Sequence, residues 1–488
     1  MSTPQSREFS VLAVFFSTEM WERYGFYVVQ SLLALYLALH LHLTDARTYT
    51  LVGSFTALTY ISPILGGWIA DHYLGQKRAI LTGAVLLFIS YVVLSFSVSL
   101  RSLLSALAMI ATGTGLLKPN ISALLGRQYA PGDHRRDSGF TIFYLGITTG
   151  IILGTLLPAK LQGWFGWHTC FLSAAVGAIL AYSVFFFGSR VMHIAEHTQK
   201  VHTLQNGLQA AIAIVVAYMV FYAVLLNAHA ADLFFLGIVV LAIALVLKIA
   251  YHESGDQRRK TLSLLLLFVI STFFWSFYFE MFMVLTLFIT RAVAPTVLGI
   301  AFPAPYYVAV QSFGMLVLGV LLSRVWSRLR YRNKAYAISL KFLSALVCML
   351  MAYGIIFLTN AHGVVSGIIS PWPILVAYLV ISLAELLLSP IGLSAVTHLS
   401  NEKVVSTLMG VFFVSLGIGG FVAGQLAKLA AIGNAAAMSL SMVRDSYLHG
   451  FQVLITILSG ALCVTLLLCF LIKHISRRIK WEALPVQE

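Results

Sequence analysis

The amino-acid sequence predicts an all-α membrane protein with about fourteen spanning helices. Of its 488 residues, 60% are hydrophobic and only 10% are charged, whereas soluble domains carry about 25% charged residues. Apolar stretches of about 20 residues recur along the chain, and each is long enough to cross about 30 Å of hydrocarbon. Backbone groups in lipid must be hydrogen-bonded internally, and the stretches lack the alternation of barrel strands, so the spans are predicted to be helices.

Lysine and arginine residues are concentrated in every second loop between the predicted spans. The basic loops carry Lys77 and Arg78, Arg135 and Arg136, Arg258 and Arg259, and the run Arg328, Arg330, Arg332 and Lys334. The formal net charge of +14 is therefore attributed to membrane orientation and not to nucleic-acid binding. The basic loops are predicted to be cytoplasmic, and both termini lie on the same side because the number of spans is even.

Two spans in the middle of the chain differ from the others. Residues 207–250 are almost purely aliphatic, and the connection from Asn227 to Asp232 is very short. A helix that is apolar all round faces lipid or packs passively. We predict an inserted helical hairpin at residues 201–255, between a six-helix bundle at residues 1–200 and a second at residues 256–488.

The first span contains three charged residues, each of which needs a physical reason. A charge at the bilayer centre costs about 2.5–3.5 kcal/mol. Glu19, Glu22 and Arg23 have the spacing i, i+3, i+4 and lie on one helical face, which Tyr27 and Gln30 continue. One arginine does not compensate two carboxylates, so one acid is a candidate to carry a proton. The alternative is a structural ion pair that only fixes helix packing.

Other charges inside predicted spans are candidate ligands for a solute. Lys118 follows two glycines whose spacing indicates close helix packing, and it could bind a carboxylate or exchange partners with Glu22. Glu385 has no basic residue within four positions and is a candidate to bind an ammonium group or a proton; Glu280 is similar. The alternatives are a lysine that reaches to the membrane surface and acids in structural hydrogen-bond networks.

No pattern of residues indicates an enzyme or a cofactor. Ser-His-Asp, nucleotide-binding and zinc-protease motifs are absent from the sequence. His193 and His197 have a helical metal spacing, but few acidic ligands accompany them in a polar loop. The four cysteines show no disulfide spacing. We therefore expect no catalytic activity, no metal and no other cofactor.

Five motifs follow one another in order over nearly the whole chain. They read Glu19-Met20-Trp21-Glu22-Arg23-Tyr24, Gly66-Gly67-Trp68-Ile69-Ala70-Asp71, Leu117-Lys118-Pro119-Asn120, Phe140-Thr141-Ile142-Phe143-Tyr144, and Ala384-Glu385-Leu386 with Ser389-Pro390. Together they resemble the proton-dependent oligopeptide transporters, a branch of the major facilitator superfamily. The resemblance implies the major facilitator fold of two six-helix bundles, and its bacterial members carry an extra helix pair in the middle.

The resemblance also implies roles for the candidate residues. Glu19, Glu22, Arg23 and Lys118 would couple proton movement to transport. Asp71, Lys77 and Arg78 would form a cytoplasmic gate. The residues implied in substrate binding are Tyr27, Gln30, Tyr60, Lys118, Thr148, Trp275, Glu280, Gly314, Glu385 and Phe412.

Several of these positions depart from the family's pattern. Gln30 stands where many members carry an arginine, and Thr148 replaces the asparagine of an I-N-x-G motif. Gly314 falls on the asparagine of a Q-S-L-N motif, and Phe412 falls on a tryptophan. The polar residue of the seventh helix falls near Phe279. These differences predict intact coupling machinery and an altered substrate pocket.

The function that the resemblance implies is proton-coupled import of di- and tripeptides across the inner membrane by alternating access. The alternative keeps the fold and the proton coupling but carries an amino-acid derivative, an organic anion or a drug-like compound. The expected partners are a small peptide, protons and the lipid bilayer, without nucleic acid. A monomer is expected.

Overall fold

A computed structural model of the chain describes residues 4–129, 133, 135–196, 203–326, 334–362, 364–365, 367–433, 435–477 and 479. The basic residues Arg328, Arg330 and Arg332 lie outside these ranges, as does His197. The described residues are overwhelmingly helical, as the composition predicts.

Fifteen α-helices occur in this part of the chain. They are α1 (Pro4–Leu35), α2 (Asp45–Ile69), α3 (Gln76–Ser95), α4 (Leu100–Gly126), α5 (Arg135–Val191), α6 (Leu204–Leu226), α7 (Ala228–His252), α8 (Gly255–Tyr278), α9 (Val284–Ala292), α10 (Ala304–Trp326), α11 (Lys334–His362), α12 (Pro371–Leu386), α13 (Ser389–Leu399), α14 (Val405–Ala427) and α15 (Leu440–Ser476). Two antiparallel pairs of short strands accompany them, β1 (Thr296–Val297) with β2 (Ile300–Ala301) and β3 (Val364–Val365) with β4 (Ile368–Ile369).

The helices are long enough to make this a multi-pass membrane protein. Within the described residues, 12 helical segments are long and apolar enough to cross a membrane. The charged helix α1 is not among them, and the 57-residue helix α5 counts once although Gly166, with a φ of 81°, interrupts it. When α1 is added and the two arms of α5 are counted separately, the number becomes fourteen. The predicted all-α membrane fold is confirmed.

Two spans are interrupted close to buried acids. Helix α8 ends at Tyr278, and a 3₁₀ turn, Phe279–Phe282, separates it from α9. Helix α12 ends at Leu386, and α13 restarts at Ser389 with a proline in its first turn. Proline has no N–H to continue a helical ladder. Irregular backbone at membrane depth is tolerated where it is enclosed by protein or lines a cavity.

The first compact unit consists of Met1–Leu43 and Ser54–Asp232. In it, α1 packs against α5, α3 packs against α4 and α5, and α4 packs against α6. Glycines allow these backbones to approach closely. A Cβ atom at Gly66 would collide with the carbonyl oxygen of Gly115 on α4. A Cβ atom at Gly150 would collide with the carbonyl oxygen of Met20 on α1.

The second compact unit consists of Thr44–Gly53 and Leu233–Glu488. In it, α8 packs against α14, α10 packs against α12, and α11 packs against α12 and α15. The ring of Phe235 on α7 lies 4.4 Å from that of Phe421 on α14, measured between centroids. Helix α6 thus belongs to the first unit and most of α7 to the second. The three-part division at residues 200 and 255 stays a prediction.

Candidate functional site

In the first unit, the charged face of α1 is a buried cluster built around Arg23. The guanidinium makes two hydrogen bonds to Glu22, from Nε to Oε2 and from Nη2 to Oε1, the latter at 2.6 Å. Its Nε also lies 3.5 Å from Oε1 of Glu19. The guanidinium carbon lies 4.9 Å from the centroid of the Phe26 ring. Paired hydrogen bonds between arginine and a carboxylate are strong and directional, and both carboxylate oxygens of Glu22 are bound to Arg23.

The second acid of the cluster has an oxygen without a partner. Glu19 is 1% exposed, and among the described residues no group hydrogen-bonds to its buried Oε2. A buried charged oxygen that lacks a hydrogen bond is costly. The helical spacing predicts that one of the two acids is left over, and the geometry identifies that acid as Glu19.

Three other polar residues predicted for the site lie in the same unit. The Nζ of Lys118 lies 4.9 Å from the centroid of the Tyr60 ring, a cation–π contact. Gln30 donates from Nε2 to Oγ1 of Thr56 at 2.9 Å, and its buried Oε1 has no partner among the described residues. Tyr27 is half-buried beside Phe26. Exchange of partners between Lys118 and Glu22 stays a prediction.

In the second unit, Glu385 is held by two donors. The hydroxyl of Tyr278 donates to Oε2 at 2.8 Å, and Nε2 of Gln311 donates to the same oxygen at 2.7 Å. The hydroxyl of Ser382 in turn donates to the backbone carbonyl of Gln311 at 2.7 Å, which ties α12 to α10. Both bonds to the carboxylate fall on Oε2. Among the described residues, Oε1 is therefore the oxygen left for an incoming donor.

Aromatic side chains support this carboxylate. Trp275 contacts Tyr278 edge-on, with ring centroids 4.8 Å apart, and stacks on Phe279 at 5.5 Å. Trp275 is only 3% exposed. Trp275 therefore packs against the phenol that donates to Glu385, and it helps to position that donor.

Glu280 is the most enclosed acid of the chain's described part. It lies in the 3₁₀ turn between α8 and α9, has 0% exposure, and neither of its oxygens has a hydrogen-bond partner of good geometry there. It resembles Glu19 in this respect, but no arginine of the described residues forms an ion pair with it. Its predicted role in substrate binding stays a prediction.

Three further residues predicted to bind substrate are buried. Thr148 donates from Oγ1 to the carbonyl of Tyr144 in its own helix at 3.2 Å. A Cβ atom at Gly314 would lie 2.6 Å from Oγ of Ser382. Phe412 is 2% exposed. Gln311, the glutamine of the Q-S-L-N motif, was given no role by the sequence, yet it contacts Glu385 directly.

The residues of the predicted gate lie at the junction of α2 and α3. Asp71 is exposed within a π-helical turn, Ala70–Leu74, that continues α2. Lys77 is half-buried and Arg78 is exposed in the first turn of α3. The structure thus places all three on one short stretch of surface backbone.

Sequence reasoning missed a buried ion pair in the second unit. Arg291 donates from Nη1 to Oδ2 of Asp45 at 2.7 Å and from Nη2 to Oδ1 at 2.8 Å, and also from Nη1 to the Tyr447 hydroxyl at 2.9 Å. The backbone N–H of Ile432 donates to Asp45 at 3.1 Å. The two charges are 246 residues apart in sequence, so no local pattern connects them.

Removing one charge from this pair is expected to destabilise the protein strongly. We expect Asp45→Asn to lower the free energy of unfolding by about 3 kcal/mol, because it leaves a mostly buried arginine with weakened partners. The matched control is Asp256→Asn, since the side chains of Asp256 and its partner Arg259 are each 35% exposed and such pairs contribute little. The measurement is the thermal unfolding midpoint in detergent; equal shifts for both variants would contradict this expectation.

Fold and site together define a class of protein. The protein is a polytopic helical membrane protein. One unit contains the buried cluster around Arg23, and the other contains the oriented carboxylate of Glu385. Charges at this depth mark substrate and ion pathways in transporters. The sequence model of the POT family matches residues 77–442, and the chain belongs to this family.

Known relatives and solved structures resemble the chain over most of its length. It is 31% identical to dipeptide and tripeptide permease A of Salmonella typhimurium over 421 residues, covering 86% of this chain and 83% of the permease. A crystal structure of a mutant of the peptide transporter POT, in complex with alafosfalin, is 26% identical, covers 96% of both chains and superimposes with a TM-score of 0.81. The tetrameric transporter PepTSo2 is 25% identical, covers 95% of this chain and 99% of its own, and has a TM-score of 0.81.

Proposed function

We propose that this protein imports di- and tripeptides across the inner membrane by proton symport and alternating access. Membership of the POT family and the likeness to dipeptide and tripeptide permeases support the cargo. The observation that carries the proposal is the unpartnered buried oxygen of Glu19 beside the committed pair of Glu22 and Arg23. Proton uptake neutralises this carboxylate and so removes the cost of burying a charged oxygen without a partner.

The proton step begins at Glu19. When Glu19 binds a proton, one of the two negative charges that face Arg23 is neutralised. The hold of the cluster on Arg23 then weakens, since the longer contact of 3.5 Å to Glu19 loses its charge. Lys118 supplies a further cation in this unit and can approach a substrate carboxylate when it leaves the face of Tyr60. Proton uptake is thereby linked to the arrangement of the buried cations.

The substrate step uses Glu385 as the acceptor for the peptide's ammonium group. Tyr278 and Gln311 both bind Oε2, so the carboxylate presents Oε1 without having to reorient. A preorganised acceptor loses little conformational entropy when it binds its ligand. This fixed orientation of the Glu385 carboxylate favours a substrate with a free amino terminus.

The orientation of the chain follows from its basic loops. Lysine and arginine mark the cytoplasmic side, so we assign both termini and the gate residues Asp71, Lys77 and Arg78 to that side. We assign transport to a single chain, because the residues proposed for the proton and for the ammonium group all come from one chain. No enzymatic step is needed for this function.

The test is uptake of a labelled dipeptide into proteoliposomes that contain the purified protein. A pH difference of one unit supplies about 1.36 kcal/mol per proton, enough for about tenfold accumulation when one proton accompanies each peptide. We expect accumulation that approaches this limit with an acidic exterior, and its loss when a protonophore collapses the gradient. Uptake that only equilibrates the peptide under both conditions would contradict proton coupling.

A second function keeps the proton step and changes the cargo. The observations that favour it are the packed positions of Thr148, Gly314 and Phe412, and Gln30 where many family members carry arginine. The cargo would then be an amino-acid derivative, an organic anion or a drug-like compound. Competition by a panel of di- and tripeptides against the labelled dipeptide distinguishes the two cargoes. A transporter of non-peptide substrates would show no competition by any peptide of the panel.

A further inference from the structure

The chain that leaves α5 folds back onto the first unit. Ile194 is 3% exposed, and the carbonyl of Ala195 accepts a hydrogen bond from Nε2 of Gln128 at 3.1 Å. Gln128 follows α4 directly. The short stretch of residues 192–196 is therefore docked by a buried side chain and a side-chain amide, and it carries Glu196 to a defined place.

That place is the start of α3. Oε1 of Glu196 accepts hydrogen bonds from the backbone N–H groups of Gln76 and Lys77, the second at 3.2 Å. The first N–H groups of a helix have no partner within the helix, and the residue before α3, Gly75, has no side chain to cap it. The cap comes instead from a residue 120 positions away.

Charge and backbone geometry both suit this contact. The first turn of α3 holds no acid but does hold Lys77 and Arg78, which is unfavourable at the positive end of a helix dipole. The carboxylate of Glu196 offsets this. Gly75 has a φ of 76°, and a Cβ atom there would lie 2.7 Å from Oε1 of Glu196. Glycine therefore serves both the left-handed turn and the approach of the carboxylate.

We propose that Glu196 is a positioning residue for the cytoplasmic gate. Its carboxylate, here called the Glu196 clasp, holds the backbone of the turn that presents Lys77 and Arg78. The inference rests on the proposed role of these two residues in the gate. Among the described residues, the hydrogen bonds of the clasp go to backbone groups of the gate and not to the residues proposed for the proton or the peptide, so we expect it to affect the rate of turnover and not substrate affinity.

The test compares three variants in proteoliposomes. Glu196→Ala removes the acceptor, and we expect the maximal rate of uptake to fall about fivefold, the effect of losing a helix cap, with an unchanged KM. Glu196→Gln keeps an acceptor oxygen and is expected to stay within about twofold of the wild type. Ser99→Ala is the matched control, because Ser99 caps α4 of the same unit; it should lower the unfolding midpoint as much as Glu196→Ala but leave the rate unchanged.

Other outcomes overturn the clasp. The proposal is wrong if Glu196→Ala leaves the rate of uptake unchanged or alters only KM. It is also wrong if Ser99→Ala loses as much of the rate, or if Glu196→Gln is as slow as Glu196→Ala. Amide hydrogen exchange provides a readout that needs no substrate. We expect about fivefold faster exchange at the start of α3 in Glu196→Ala. If wild-type protein transports no peptide, the proposed function fails, while this exchange still decides whether the clasp exists.

Discussion

Glu19→Gln is expected to abolish proton-driven accumulation of peptide, with the initial rate of uphill uptake falling at least about 100-fold. The substitution preserves the shape of the side chain and removes the group that binds the proton. Exchange of internal for external peptide, which needs no net proton movement, should continue. The measurement is the paired assay of uphill uptake and of exchange in the same proteoliposomes.

The matched control is Glu22→Gln, and stability separates the two variants. Glu22 makes both close hydrogen bonds to Arg23, so its neutralisation removes the main partner of a buried cation. We expect its unfolding midpoint to fall, as breaking a buried pair is costly. Glu19→Gln removes a carboxylate whose Oε2 has no partner among the described residues, so its midpoint should be unchanged or higher.

Two results would count against the assignment of Glu19. If Glu19→Gln accumulates peptide as the wild type does, the cluster is a structural ion pair. If both variants lose uptake and stability to the same extent, the two acids act as one unit and the geometric distinction between them has no functional meaning.

The sequence could predict this cluster because helical geometry is local. Residues at i, i+3 and i+4 share a face in any α-helix, so Glu19, Glu22 and Arg23 had to meet. Which acid is left over could not be predicted. The rotamer of Arg23 decides it, and that rotamer depends on packing against Phe26 and on the enclosure by neighbouring helices.

The sequence alone could not predict the contacts between distant segments. Glu385 is 107 residues from Tyr278 and 74 from Gln311, and no periodicity links them. Motif matching aligned Gln311 with the glutamine of the Q-S-L-N motif but assigned it no role, and it marked only the asparagine that is lost at Gly314, a position that faces Ser382 across a tight helix contact. One sequence cannot show which side chain of that helix reaches a carboxylate on another helix.

Glu385→Gln is expected to weaken binding of peptides with a free amino terminus by about 100-fold, since hydrogen bonds to charged groups contribute about 1.5–3 kcal/mol each. The glutamine keeps an oxygen that Tyr278 can reach but loses the charge that attracts an ammonium group. Binding of the same peptides after N-acetylation should change little. Titration calorimetry with each peptide and its acetylated form measures the difference directly.

Gln311→Ala tests whether the orientation of Glu385 matters as well as its charge. This variant removes one of the two bonds on Oε2 and leaves the carboxylate charged. With only Tyr278 holding it, the carboxylate must be ordered when the peptide binds, so we expect about tenfold weaker binding of the free peptide and again little change for the acetylated form. If Gln311→Ala weakens both forms equally, the amide contacts the peptide itself. If Glu385→Gln also fails to distinguish the two forms, the ammonium group is bound elsewhere, and Glu385 serves only to join α12 to α8 and α10.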